Sequence, residues 1–241
     1  MLRGERLTVA YGARPVFEGV DFAVLPGRFV ALIGPNGGGK SSLLRVLAGV
    51  QKPTAGRVSR TGKVALIAPS MDPPGDLTPV DLAAYGLAAN RRFWQWTLAP
   101  DDEQRIHAAL ARCNLSERYE DPIASMSAGE VQRAWIAAAL ATCADVLLID
   151  EPTTHLDLRF QIEILKMLRE LTRSGVSVVA AVHDLTLAAR FADDVALLAN
   201  GALAMGPPDE VLEARALSEA YGIAVSTHHH PHEGYLICLP T

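Results

Sequence analysis

The apolar stretch RFVALI (28–33) runs directly into GPNGGGKSS (34–42), and KSSLLRVLAGV (40–50) then spaces its leucines and valines as a helix does. Strand, glycine loop and helix in that order leave few folds open. Residues 34–41 fit G-x-x-x-x-G-K-[ST], and a loop of that form wraps phosphate oxygens with backbone N–H groups. Close approach of the backbone and unusual dihedrals are both needed, and glycine permits both. The helix starting near Lys40 aims its positive end at the anion. Gly34, Pro35, Asn36, Gly37, Gly38, Gly39, Lys40, Ser41 and Ser42 are therefore candidates for a nucleoside triphosphate site. Lys40 would reach the β and γ phosphates, and the Ser41 hydroxyl would bind Mg²⁺.

Around that loop the sequence reads as short strands, RLTVAYG, VDFAVL and RFVALIG, separated by GARP and LPG turns. PTAG (53–56) reads as a turn and KVALIA (63–68) as a buried strand. From about 77 to 143 strand signals fade, and helical periodicity appears in residues 101–113 and 128–143. Strand-like runs return at 145–150, 176–182 and 194–200, with a helical pattern at 158–173 between the first two. Alternating strands and helices imply a mostly parallel sheet covered on both faces. The expected organisation is one domain: a core of residues 1–76 and 144–241, an inserted helical sub-domain (77–143) and a short C-terminal extension (201–241).

A second element sharpens the chemistry. VLLIDE (146–151) is an apolar strand ending in two acids. Asp150, at the strand's carboxyl end, can accept a Mg²⁺-bound water. Glu151, one step on, points differently and could polarise an attacking water.

These residues resemble the ATP-binding cassette (ABC) family. MSAGE (126–130) resembles that family's signature sequence, usually LSGGQ or LSGGE, and VQRAWIAAAL continues as its signature helix does. TTHLD (153–157) resembles the D-loop, His183 in AVHDL the switch histidine, and Tyr11 the aromatic that stacks on adenine. The resemblance implies a P-loop NTPase core in the α/β class, with an N-terminal antiparallel β part and the inserted helices. It implies ATP and Mg²⁺ as ligands, Glu151 and His183 as catalytic groups, and Asp157 organising the opposite site of a pair. It also implies a homodimer in which Ser127, Ala128, Gly129 and Glu130 of one copy face the γ-phosphate held by Lys40 of the other.

Residues 183–212 and 217–225 further resemble the ATPase subunits of bacterial importers for iron chelates, haem and cobalamin. Integral-membrane permease subunits and, indirectly, a secreted or periplasmic binding protein are the partners this implies. The protein would sit in the cytoplasm, peripheral on the inner face of the membrane. RRFWQW (91–96), with Trp94 and Trp96, offers either packing within the sub-domain or a docking surface for the permease.

One departure stands out. The family usually has glutamine after the KVALIAP strand, where it reaches Mg²⁺, and Ser70 occupies that position here. The shorter side chain would reach the metal only through water, and slower hydrolysis is expected. Met126 and Ala128 depart from the usual signature as well.

Composition bounds the partners. With 241 residues, 49% apolar, the chain can bury a large core, and no apolar run approaches the roughly 18–20 residues of a membrane span. A net charge of −5 with interspersed signs argues against a nucleic-acid partner, and so against a ribosome- or DNA-associated cassette. A regulatory ATP-binding module with weak hydrolysis remains an alternative. Cys113, Cys143 and Cys238 lack metal-type spacing and read as reduced thiols. The cluster His228, His229, His230 and His232 reads either as a solvated tail or as a transition-metal site.

Overall fold

Five apolar residues with no polar break need cover on both faces, and the computed structural model makes Phe29–Ile33 an inner strand of a six-stranded sheet. The structure describes residues 1–12, 14–68, 76–88 and 99–241. The chain begins with β1 (Leu2–Tyr11), β2 (Arg14–Val24), β3 (Phe29–Ile33), α1 (Lys40–Ala48), β4 (Ala55–Arg60) and β5 (Val64–Ile67). Helices α2 (Pro79–Ala88), α3 (Pro100–Arg112) and α4 (Ala128–Ala141) follow, with a 3₁₀ turn at Ile123–Ser125. Then come β6 (Val146–Ile149), α5 (Leu158–Arg173), β7 (Ser177–Ala181), α6 (Leu185–Phe191), β8 (Asp194–Ala199) and β9 (Ala202–Gly206). The chain closes with α7 (Pro208–Val211), α8 (Ala214–Tyr221), β10 (Val225–His229) and β11 (Leu236–Pro240).

The main sheet runs β5-β6-β7-β3-β8-β9, parallel from β5 to β8, with β9 antiparallel at the edge. Strands β2-β1-β4 form a separate antiparallel sheet. This is the mixed α/β class expected from the sequence. Alternation along β6 sorts its side chains between two layers. Leu147 and Ile149 pack with the helices α2–α5, while Val146 and Leu148 pack with β1, β2 and α1. Ala31, Ile33, Val195 and Leu197 form a third cluster with α6, α7 and α8.

Helices α2, α3 and α4 all lie between β5 and β6, two adjacent parallel strands. The long excursion therefore leaves and re-enters the sheet at neighbouring positions. α5 spans the residues expected of it, and α1 ends at Gly49 in the left-handed conformation.

Three local expectations need correction. Arg14 and Pro15 of the expected GARP turn belong to β2, paired with β1. Ala55 and Gly56, read as part of a turn, begin β4 against β1. The histidine cluster is solvent-facing as expected at His228, His229 and His232 but is not a loose tail: β10 and β11 form a hairpin, tied to α6 by the Cys238 N–H donating to Thr186 Oγ1 at 3.1 Å. Cross-strand hydrogen bonding and the packing of Leu236 under α6 outweigh the polarity of the histidines. Ser70, Trp94 and Trp96 lie outside the described residues.

Candidate active site

Three strands of the parallel sheet deliver the candidate residues to one edge. Strand β7 lies between β3 and β6, with Leu32 level with Ala181 and Ile149 level with Ala180. One or two residues beyond those positions stand Gly34, Asp150, Glu151 and His183. Ligands of open parallel sheets bind at this carboxyl edge.

The loop that follows β3 is shaped by its glycines. Gly34 has φ 145°, and a Cβ there would lie 2.1 Å from the Leu198 carbonyl oxygen. Gly39 has φ 100°, and a Cβ would meet Val16 Cγ1 of β2 at 2.5 Å. Both positions thus exclude side chains twice over, by dihedral and by space. Lys40, the first residue of α1, is only 6% exposed and donates from Nζ to the carbonyls of Gly34 (2.8 Å) and Pro35 (3.1 Å). Burial lowers its pKa, and the negative charges of Glu151 and Asp150 oppose part of that shift.

Asp150 is 4% exposed, and its Oδ1 has no hydrogen-bond partner among the described residues. A buried carboxylate oxygen in that state is destabilised unless something cationic or donating meets it. Glu151 takes φ 55°, a left-handed conformation unusual for a residue with a side chain. Its carboxylate is 2.9 Å from His183 Nε2 and accepts a hydrogen bond from Thr154 Oγ1 at 3.0 Å. Burial raises its pKa, but the His183 and Thr154 bonds and the Lys40 charge outweigh it, leaving the group more acidic than usual.

Tyr11 is 56% exposed at the end of β1, with its hydroxyl 3.1 Å from Ser42 Oγ and 3.1 Å from Gln51 Oε1. Those two bonds hold the ring beside the loop and lower the phenol pKa. Asp157 caps α5, accepting from the Phe160 N–H at 3.0 Å.

The signature-like residues form a helix start. Ser127 caps α4 and forms a capping box with Glu130, whose Oε2 accepts from the Ser127 N–H and hydroxyl, both at 2.8 Å. Arg118 donates to the other Glu130 oxygen at 2.8 Å. Gly129 packs closely under α5: a Cβ there would lie 3.1 Å from the Phe160 ring, which would have to give by a few tenths of an ångström. Ser127 also borders a groove of about 650 Å³ between α4 and α5, with Glu130, Arg133, Phe160 and Lys166 among its lining.

The structure therefore gathers Gly34–Ser42, Asp150, Glu151, His183 and Tyr11 around one loop, and sets Ser127–Glu130 on the helical lobe. Four contacts went unread in the sequence. Thr154 is legible in retrospect as a hydroxyl three residues after Glu151. Gln51 on Tyr11, Arg118 on Glu130 and Phe160 against Gly129 depend on tertiary packing and leave no local signal.

Comparison with known proteins shows the family and the fold. The family model described as ABC transporter matches residues 17–154. The chain is 36% identical to the ferric enterobactin transport ATP-binding protein FepC of Escherichia coli (strain K12), covering 92% of this chain and 87% of that protein. It is 38% identical to the hemin import ATP-binding protein HmuV of Streptomyces coelicolor, covering 97% and 88%. Among solved structures, a metal-chelate type ABC transporter in an inward-facing conformation superposes with a TM-score of 0.91 at 24% identity, covering 100% and 97%. Among the described residues no helix is long and apolar enough to cross a membrane, and no group of three or more His, Cys, Asp or Glu is arranged to hold a metal ion.

Proposed function

The chain belongs to the ABC transporter family, and from that premise we propose that it is the ATP-hydrolysing subunit of an importer for an iron chelate, haem or a related metal complex. The observation carrying the ATPase reading is the convergence of Lys40, Asp150, Glu151 and His183 on the glycine loop. The importer reading draws on relatives named for ferric enterobactin and hemin transport that align over nearly the whole chain.

Nucleotide enters where the loop N–H groups point, and the exposed Tyr11 ring offers a face for the base. Lys40 exchanges its two carbonyl partners for phosphate oxygens, a charge-assisted and therefore stronger pairing. Ser41 and Asp150 are the residues that would hold Mg²⁺; the unpartnered Asp150 Oδ1 fits that use, and the ion would neutralise phosphate charge. Ser70 is a further candidate, acting through water, on sequence grounds alone.

Glu151 holds and polarises the water that attacks the γ-phosphorus. Its depressed pKa keeps it ionised and ready to accept a hydrogen bond. His183 steadies Glu151 in the nucleotide-free state, and reaches the γ-phosphate once nucleotide displaces that contact. Most of the rate comes from positioning and charge stabilisation.

The helical lobe (77–143) is proposed as a unit apart from the core (1–76 and 144–241), with 201–241 as an extension. Its capped helix start at Ser127, with Ala128, Gly129 and Glu130, would complete the γ-phosphate site of a second copy, and Asp157 would lie at that interface. Closure of the pair on ATP and opening after hydrolysis would drive membrane-embedded permease subunits at the cytoplasmic face. A binding protein outside would deliver cargo.

The test is reconstitution of the chain with its permease. Phosphate release stimulated by a ferric chelate or haem with its binding protein is expected. Full hydrolysis with no response to any such cargo would leave the ATPase and remove the importer assignment.

A further inference from the structure

The start of α4 is held from outside the helix. In its capping box the Ser127 N–H and hydroxyl both donate to Glu130 Oε2 at 2.8 Å. The other carboxylate oxygen, Oε1, accepts from Arg118 at 2.8 Å, and the same guanidinium donates from Nε to Asp121 Oδ2 at 2.7 Å. Arg118 lies on a segment that is itself fixed to the helical lobe. The Val80 N–H donates to the Tyr119 carbonyl at 3.2 Å, and the Ile123 N–H to the Leu77 carbonyl at 2.8 Å. The Tyr119 ring meets His107 of α3 edge-on, with 5.2 Å between centroids.

A capping box closes with serine and glutamate alone, so Arg118 supplies something a helix start does not require. Burial raises the Glu130 pKa, but the Ser127 bonds and the Arg118 charge and bond outweigh it, and the carboxylate is ionised. A negative charge therefore sits 2.8 Å from the Ser127 hydroxyl, on the face proposed to receive a γ-phosphate. The Glu130 side chain is 17% exposed, so solvent screens that charge only in part. Arg133, further along α4, is turned to Glu163 of α5 at 3.8 Å. The offset to Glu130 comes from Arg118.

We propose that Arg118 is a positioning residue for hydrolysis: by holding Glu130 and offsetting its charge, it lets the helix start at Ser127 meet the γ-phosphate of a second copy. The inference rests on the reading that Ser127 completes that site. In the free protein the Ser127 hydroxyl gives its proton to Glu130, and it donates to phosphate only by turning away. A carboxylate already paired with Arg118 attracts that proton less, so the turn is less opposed. Without Arg118, the uncompensated carboxylate would also repel the incoming phosphate.

The experiment uses the full-length chain reconstituted with its permease, and reads phosphate release, fluorescent mant-ATP affinity and thermal melting. Arg118→Gln should lower kcat by about 5- to 50-fold, as the loss of a charge-assisted pairing allows. Its mant-ATP affinity should stay within about 2-fold of wild type, because Lys40 and its loop are untouched. The decisive comparison is made in a Glu130→Gln background, where the charge is gone and glutamine still completes the capping box. There, adding Arg118→Gln should lower kcat by less than about 2-fold, a pattern that a purely structural role does not produce. Arg118→Lys keeps the cation and should hold kcat within about 3-fold of wild type; it carries the test if Arg118→Gln does not fold. Equal fractional losses from Arg118→Gln in the two backgrounds overturn the proposal. So does wild-type kcat in Arg118→Gln, or a folded Arg118→Lys chain outside its limit. A folded Ser127→Arg chain that hydrolyses at the wild-type rate overturns the reading beneath as well.

Discussion

His183 Nε2 and Glu151 Oε1 lie 2.9 Å apart, one carried past the end of β7 and the other past the end of β6. Because these strands are neighbours in register, the contact follows from the sheet topology. Glu151 reaches it from a left-handed backbone conformation, disfavoured by roughly 1–3 kcal/mol and so maintained by its surroundings. A group held in that way beside the glycine loop fits the chemical role proposed for Glu151.

Glu151→Gln tests the role directly. Glutamine keeps the size and can still bond Thr154, but it cannot accept a proton. Phosphate release should fall by about 10²–10⁴-fold, the range ascribed to a positioned acid or base. ATP affinity, measured by titration, should stay near that of the wild type. Hydrolysis at the wild-type rate would remove Glu151 from the chemical step.

Lys40→Met addresses binding rather than turnover. The buried ammonium is replaced by an apolar chain of similar length, so ATP affinity should fall at least about 10-fold through loss of charge-assisted contacts. Burial depresses the Lys40 pKa in the free protein, whereas phosphate would favour the charged form. Wild-type affinity should therefore decline as pH rises, beginning below the range of an ordinary lysine. The variant should lack that decline.

Much of this was legible in the sequence because the loop, the strand-end acids and His183 are each fixed to the end of an apolar run. Parallel strands bring such ends together regardless of how many residues separate them. α5 matches the helical pattern at 158–173 because its apolar stripe lies wholly within that segment, and the structure adds its cap, Asp157, one residue before it. The hairpin was not legible: the pairing of His228 with Ile237 and His229 with Leu236 depends on α6 offering Thr186 and an apolar floor. Gly129 carried a sequence signal for phosphate, yet the structure adds a packing reason, the Phe160 ring.

The three consecutive glycines of the loop should differ in what they tolerate. Gly37 has φ 77° with open space around its Cα, so only the dihedral resists a side chain. Gly37→Asn, with the residue that best accepts a left-handed conformation, should lower stability by about 1 kcal/mol or less. Gly39 combines φ 100° with contact to Val16, so Gly39→Ala should lose about 2–4 kcal/mol through strain and overpacking. Urea denaturation of the two variants checks the order. Adding Val16→Ala to Gly39→Ala should recover only part of the loss, because the dihedral strain remains.

Acid sensitivity should centre on Asp193, at the opposite edge of the sheet from the loop. It accepts from the Phe29 N–H at 2.8 Å and pairs with Arg169, with Arg28 at 3.9 Å. Burial raises its pKa, but the Arg169 bond, the Phe29 bond and the two positive charges outweigh it, so the folded value lies below the ordinary 3.8. A folded carboxylate that is more acidic than in the unfolded chain stabilises the fold at pH above the unfolded value. That contribution fades as pH falls through the folded value. Asp193→Asn should lower stability at neutral pH by about 1–2 kcal/mol, the smaller end of such effects because solvent screens part of the charge. Between about pH 4 and pH 2 the wild type should lose stability more steeply than the variant, so that the two urea midpoints converge. Parallel curves across that interval would show that the acid response belongs to other carboxylates.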